Sequence, residues 1–116
     1  MDFRKLKIYT LAIEFVKEIY KLSKEFPQDE LFGLTSQMRR AAVSVALNIA
    51  EGSGSSSDIE FSRFLKISIR SLYEVDAILE IANALSYCDK KRIEKIYNTR
   101  IILGRMTGQF IKKLTS

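Results

Sequence analysis

Hydrophobic residues recur every three or four positions along almost the whole chain, which is the spacing of amphipathic helices. Few glycines and a single proline interrupt the pattern, and the interruptions divide it into four long segments with short connections. Four such helices predict an all-α fold, an up-down-up-down antiparallel four-helix bundle. The predicted helices cover about residues 3–26, the run 33–54, residues 57–85 and residues 89–114.

Local signals predict where three of these helices begin. Ser57 and Glu60 have the spacing of a capping box, in which a serine and a glutamate each bind a free backbone amide at a helix start. Asp89 is the expected N-cap of the fourth helix, and Thr35 or Ser36 that of the second. Pro27 is expected to end the first helix.

The first helix carries more apolar surface than one bundle core requires. Two interpretations remain open: one wide face toward the core, or a core face together with an oligomer face. One apolar stripe consists of Tyr9, Ile13, Val16 and Tyr20, and the other of Ile8, Leu11, Phe15, Ile19, Leu22 and Phe26.

The second helix has an apolar stripe and, beside it, a polar row of Gln37, Arg40, Ser44, Asn48 and Glu51. Solvent-facing helix surfaces usually carry long Lys and Glu side chains, whereas this row places short neutral side chains between one cation and one anion. We therefore predict that the row contacts another helix or another subunit.

Two glycines one turn apart, Gly104 and Gly108, interrupt the fourth helix, where each costs about 1 kcal/mol relative to alanine. The pair indicates either a close helix approach or a tolerated weak point, and the sequence leaves both interpretations open.

The composition is that of a folded single domain spanning residues 1–116, with 47% hydrophobic and 28% charged residues. No segment approaches the roughly 20 apolar residues that span a bilayer. A lone cysteine, Cys88, cannot form an internal disulfide. We expect a cytoplasmic protein that does not enter a membrane.

Positive charge is concentrated at the end of the chain. The last 28 residues hold eight Lys and Arg against two Asp and Glu, although the whole chain carries only +5. Such a patch is required for binding nucleic-acid phosphates, but a basic run is also typical of an ordinary solvated helix face. The candidate nucleic-acid-binding residues are Lys90, Lys91, Arg92, Lys95, Arg105, Lys112 and Lys113 on the fourth helix, and Arg63, Lys66 and Arg70 on the third.

Catalytic chemistry has little support in this sequence. The chain has no histidine, which excludes histidine-based triads, histidine zinc ligands and histidine activation of Cys88. Ion pairing with Arg63 and Arg70 accounts for Glu60 and Glu74, two of the carboxylates that could act as acids or metal ligands. We expect a protein that is not an enzyme and uses no metal or cofactor.

The segment GLTSQMRRAA followed by NIAEGSG, residues 33–42 and 48–54, closely resembles the bacterial four-helix bundle family of 23S rRNA intervening-sequence proteins. Further similarity extends over nearly the whole chain, although many relatives have proline where this chain has Ala46. The resemblance implies a ring, often a homopentamer. It also implies a relation to accessory proteins of diversity-generating retroelements, in which a basic barrel binds nucleic acid and reverse transcriptase.

Two functions from different classes follow. The first is an oligomeric bundle that binds RNA or DNA through its basic surfaces, with a reverse transcriptase or a ribosomal component as a further partner by resemblance alone. The second is an assembly module that binds protein without contacting nucleic acid.

Overall fold

The computed structural model describes all 116 residues and contains four α-helices and no strand, which confirms the predicted all-α class. Two single 3-10 turns, Phe3–Lys5 and Gln28–Glu30, precede the first and second helices. The helices are α1 (Lys7–Ser23), α2 (Leu34–Ser53), α3 (Asp58–Ala84) and α4 (Lys90–Thr115).

The four helices surround one hydrophobic core in a body of 43 × 24 × 20 Å. Each helix packs against two others, since both α1 and α3 contact α2 and α4. Phe61, early in α3, packs on Phe110, late in α4, while Asp76 and Arg100 meet near the middle of the same pair. The first half of α3 therefore lies beside the second half of α4.

These pairings give the bundle two ends, which we name by their charged residues. At the lysine end, Phe61 near the start of α3 packs on Phe110 near the end of α4, and Lys7 of α1 and Lys113 of α4 line one cleft. At the paired end, Arg92 in the first turn of α4 meets Glu25, two residues after α1.

Two predicted helix starts are confirmed. The Ser57 side chain accepts a hydrogen bond from the Glu60 amide at 3.1 Å, and Asp89 accepts one from the Lys91 amide at 3.1 Å. The reciprocal half of the capping box is not formed, because the Glu60 carboxylate accepts from the Ser56 hydroxyl instead.

The starts of α1 and α2 differ from the prediction. Leu6 has extended backbone angles, so the predicted first helix is divided into a 3-10 turn and α1. Neither Thr35 nor Ser36 caps α2, which begins after Gly33. The Glu30 carboxylate accepts from the Leu34 amide at 3.2 Å and thus supplies the cap from the preceding turn.

The contact between α2 and α3 is the most extensive in the bundle, and small residues take part in it at two points. Ser68 donates to the Val45 carbonyl at 2.9 Å inside the core. A Cβ at Gly52 would lie 2.8 Å from ring or side-chain carbons of both Phe61 and Phe64. Glycine at this position therefore lets the first turn of α3 approach the last turn of α2.

The glycine pair of α4 does not bring two helices together. A Cβ at Gly108 would meet nothing within 4 Å, and one at Gly104 would chiefly meet the Arg100 side chain of the same helix. Leu72 of α3 lies 3.9 Å away, at ordinary contact distance. The close-approach interpretation is thus wrong for this pair.

Both apolar stripes of α1 contribute to the core. Phe15 and Ile19 are fully buried, whereas Tyr9, Ile13 and Val16 are partly buried and pack against the core edge. This packing agrees with the interpretation that α1 has one wide face toward the core. The exposed part of that face could still contact another subunit.

Candidate nucleic-acid interface

The basic residues of α4 are exposed but are divided between its two ends. Lys90, Lys91 and Lys95 project from the first turns, and Arg105, Lys112 and Lys113 from the second half. Lys91 and Lys112 are 21 residues apart, about 32 Å along the helix axis, so most of the two groups lie toward different ends of the bundle, with Arg105 between them. The predicted cluster is therefore two surfaces rather than one.

Arg92, which was predicted to bind nucleic acid, is held by an ion pair. Its guanidinium donates to the Glu25 carboxylate at 2.6 Å, and the other oxygen of that carboxylate accepts from the Asp89 amide at 3.3 Å. The carboxylate thus joins the end of α1 to the start of α4.

Arg100 is a second arginine of α4 with a structural role. Its Nε donates to both Asp76 carboxylate oxygens at 2.9 and 3.0 Å, and its guanidinium lies over the Tyr73 ring. Burial raises the pKa of Asp76 even though Arg100 opposes that shift. The cost of desolvating the ionised Asp76 carboxyl is therefore larger than the stabilisation that Arg100 gives to it.

Arg63, Lys66 and Arg70 of α3 are exposed and belong to no ion pair. The expected pairing of Arg63 with Glu60 and of Arg70 with Glu74 is wrong, since neither pair is formed. The same half of α3 faces the second half of α4, which places Arg63 and Lys66 at the level of the basic residues near the end of α4.

Two lysines that the sequence reasoning did not select join this surface. Lys5 and Lys7, at the start of α1, line a cleft of about 300 Å³ together with Lys113 near the end of α4. No local signal marks them, because they lie about 106 residues from Lys113 and within a segment of nearly balanced charge. Only the fold brings them together.

The polar row of α2 is partly bonded within the bundle. Asn48 donates to the carbonyl and hydroxyl of Ser44 at 2.8 and 3.0 Å, and Ser71 of α3 donates to the same hydroxyl at 2.9 Å. Gln37, Arg40 and Glu51 are exposed. The row thus extends from the contact between α2 and α3 to the open surface.

An open groove of about 650 Å³ lies on the outer face of α2, beside this row. Its apolar lining includes Phe32, whose surface is 95% exposed, and Leu47, which is 52% exposed. Arg40 and Asn48 also line it, whereas Arg39 donates to the Ser23 hydroxyl at 2.8 Å. The groove combines apolar side chains with an arginine that has no carboxylate partner.

The paired end has an acidic local environment. Burial, followed by the charges of Glu25 and Asp89, raises the pKa of the Cys88 thiol to about 11. Tyr87 donates to the Glu30 carboxylate at 2.8 Å, and this hydrogen bond raises the pKa of its phenol. The pKa of Tyr87 is thus raised chiefly by a carboxylate, and that of Cys88 chiefly by burial with two carboxylates adding to the shift.

The carboxylates proposed above as acids or metal ligands are not gathered in one place. No group of three or more Asp, Glu or Cys side chains has an arrangement that could hold a metal ion. None of the four helices combines the length and the hydropathy needed to cross a membrane.

Fold and surface together define an all-α, four-helix protein with unpaired basic side chains. The family described as 23S rRNA-intervening sequence protein matches residues 4–109, and the chain belongs to this family.

A crystal structure at 1.70 Å resolution has the same fold, with a TM-score of 0.83 and 24% sequence identity. It is a protein of unknown function from the S23 ribosomal protein family of Bacteroides thetaiotaomicron. The match covers 90% of this chain and 98% of that one. Among curated proteins, none matches this sequence.

Proposed function

We propose that this protein is a non-enzymatic, homo-oligomeric bundle that binds RNA or DNA electrostatically through its basic surfaces. The observation that carries the proposal is the state of the ten predicted basic residues. All ten are exposed, and Arg92 is the one of them that takes part in an ion pair. The other side chains keep their full charge available for phosphates.

The lysine end is the stronger of the two surfaces. Lys112 and Lys113 of α4 lie at the level of Arg63 and Lys66 of α3, and none of them has a carboxylate partner. At the paired end, Glu25 already neutralises Arg92. A phosphate backbone would therefore gain more by contacting the lysine end.

The proposed assembly is an antiparallel, up-down-up-down bundle repeated in a closed ring, such as a homopentamer. A ring would present the same basic surface several times to one polynucleotide, which raises affinity through effective concentration. The family description names 23S rRNA, which favours RNA as the ligand and a ribosomal component as a partner. A reverse transcriptase would be an alternative partner in such an assembly.

The test is nucleic-acid binding measured against salt concentration by fluorescence anisotropy, with labelled single-stranded RNA and duplex DNA. We expect affinity that falls steeply with salt, because binding releases counterions. Neutralising Lys91, Lys95, Arg105 and Lys112 to Gln should weaken binding by more than tenfold. Undetectable binding at low salt, or binding indifferent to salt, would contradict the proposal.

A protein-interaction module is the second candidate function, and the groove on α2 favours it. Phe32 and Leu47 expose apolar surface that a partner could bury, and Arg40 beside them has no carboxylate partner. Under this hypothesis the fourfold Gln variant keeps its partner and its assembly state. Light scattering that finds a monomer would contradict both the ring and an oligomer face on the first helix.

A further inference from the structure

The cleft at the lysine end has an unusual charge distribution for its size. Lys5 and Lys7 lie on one side, just before and at the start of α1, and Lys113 lies on the other side, near the end of α4. The cleft has a volume of about 300 Å³ and includes no carboxylate in its lining. Three lysines that line one cleft create a positive local potential, which favours an anion there.

Nearby acidic residues do not neutralise these lysines. The nearest carboxylate on α4, Glu94, precedes Lys113 by 19 residues, about 28 Å along the helix axis. Asp2 accepts a hydrogen bond from the Arg4 amide and thereby caps the 3-10 turn. None of the three ion pairs in the structure includes a lysine of the cleft.

Other groups in the cleft suit a phosphate. Gln109 adds an amide side chain that can donate a hydrogen bond, and the rest of the lining is apolar, from Leu6, Ile8, Met106 and Phe110. No side chain caps α1 at Leu6, so the amides of Lys7 and Ile8 remain free of hydrogen bonds within the protein. The lysines can attract a phosphate by their charge, and the Gln109 amide and the two free backbone amides can orient it by hydrogen bonds.

We propose that this cleft binds a phosphate of the nucleic-acid backbone, held between Lys5 and Lys7 on one side and Lys113 of α4 on the other. This inference rests on the proposed function and identifies a specific contact within it. Lys5 and Lys7 are the residues it adds to the basic surface. Binding would hold the start of α1 against the end of α4. Free inorganic phosphate has the same charged oxygen atoms as the backbone phosphate and could occupy the same cleft.

The test compares two triple variants that remove the same charge. Lys5, Lys7 and Lys113 are changed to Gln in one, and the exposed Lys17 and Lys21 of α1 together with Lys24, just after α1, in the other. RNA affinity is measured against salt for both and for the wild type. We expect the cleft variant to lose more than tenfold in affinity at 0.1 M salt and the control to lose less than threefold. The salt slope should fall by about 2 in the cleft variant, as expected for single strands losing three contacts.

Gln109→Glu is a milder variant at an exposed position, and it places a carboxylate in the cleft without removing a lysine. It should weaken RNA binding by at least threefold while circular dichroism and the melting temperature stay unchanged. Equal RNA binding by wild type, cleft variant and Gln109→Glu would overturn the inference and leave the proposed function intact.

A second arm follows the amide NMR signals of Lys7 and Ile8 during titration with inorganic phosphate. Shifts at millimolar phosphate that disappear in the cleft variant support the site. If wild type binds no RNA yet these amides respond to phosphate, the proposed function fails and the cleft is a free-phosphate site instead. If neither RNA nor phosphate binds, both proposals are overturned.

Discussion

The two ends of the bundle use similar residues for different purposes. At the paired end, Glu25 binds Arg92 and the Asp89 amide, and Glu30 binds Tyr87, so carboxylates join segments that are distant in sequence. At the lysine end, Lys7 and Lys113 face one cleft and have no carboxylate partner. The paired end therefore uses Arg92 and two carboxylates for internal contacts, whereas none of the predicted cations of the lysine end is used in this way.

This difference shows that the number of cations on a helix is a poor guide to a binding surface. The first turn of α4 is as basic in sequence as its last turn, yet Arg92 is already engaged. What distinguishes the ends is the position of acidic residues on neighbouring helices. Four predictions test the distinction, from the largest expected effect to the smallest.

Neutralising the free cations of the lysine end should have the largest effect. Changing Arg63, Lys66 and Lys112 to Gln is expected to weaken RNA binding by about 100-fold at low salt, because these exposed cations lie far from Glu25 and Asp89, whose charges lower the positive potential at the paired end. A matched variant with Lys90, Lys91 and Lys95 changed to Gln at the paired end should lose about tenfold or less. Fluorescence anisotropy at equal ionic strength measures both, and equal losses would show that the two ends do not differ.

Cys88 reports on the potential at the paired end. With a pKa of about 11 instead of 9.0, its thiolate fraction at pH 8 is about 100 times smaller than that of a free thiol. Alkylation by iodoacetamide should be slower by about that factor in the folded protein. The pKa of the Cys88 thiol is higher in the folded protein than in the unfolded chain. The contribution of this thiol to stability is therefore fully present below about pH 9 and is lost as the pH rises through about 11.

Glu25→Gln is the matched variant for that measurement, since it removes one of the two carboxylates near the thiol. It should speed the alkylation of Cys88 while leaving helix content unchanged. A reaction as fast as that of free cysteine in the wild type would contradict the acidic environment.

Asp76→Ala should cost about 1–2 kcal/mol of unfolding free energy, because it leaves the Arg100 guanidinium, whose side chain is only 14% exposed, without its carboxylate. Arg70→Ala, an exposed change on the same helix, should stay within about 0.5 kcal/mol. Urea unfolding monitored by circular dichroism compares them. Since burial raises the pKa of Asp76, wild-type stability should decline as the pH rises through that pKa, and Asp76→Asn should remove this dependence.

The polar row of α2 should give the smallest effect on stability. Asn48→Leu removes two hydrogen bonds to Ser44 and is expected to cost about 1 kcal/mol. Arg40→Ala is expected to disturb assembly. Both Asn48→Leu and Arg40→Ala should disturb folding or assembly before they change nucleic-acid binding. Melting temperature, light scattering and RNA binding are measured together, with Asn98→Ala, an exposed position on α4, as the control. A variant that stays assembled but loses RNA binding would contradict the assignment of this row.

Helix existence could be predicted from the sequence, because the 3.6-residue period extends over 17 to 27 residues in each segment. Starts with a capping side chain at the boundary, Ser57 and Asp89, were also predictable. The start of α2 was not, since its cap is a carboxylate from Glu30 in the preceding turn. Periodicity also passed over Leu6, where an extended backbone interrupts an otherwise helical pattern.

The candidate interface was less predictable than the fold. Exposed lysines on α4 follow from its apolar stripe, but the pairing of Arg92 with Glu25 joins residues 67 positions apart. For the same reason, the approach of Lys5 and Lys7 to Lys113 depends on how α1 and α4 pack. Local pattern identifies a basic residue, whereas its neighbours in the fold determine whether its charge is free.

The close contact of Gly52 with Phe61 and Phe64 has a consequence for the order of folding. The contact links residues only 9 and 12 positions apart, across a connection of four residues between α2 and α3. Closing so short a loop costs little chain entropy, and the most extensive interface of the bundle follows from it. We expect α2 and α3 to form the folding nucleus, with mutations at their interface slowing folding and mutations at the two charged ends mainly speeding unfolding.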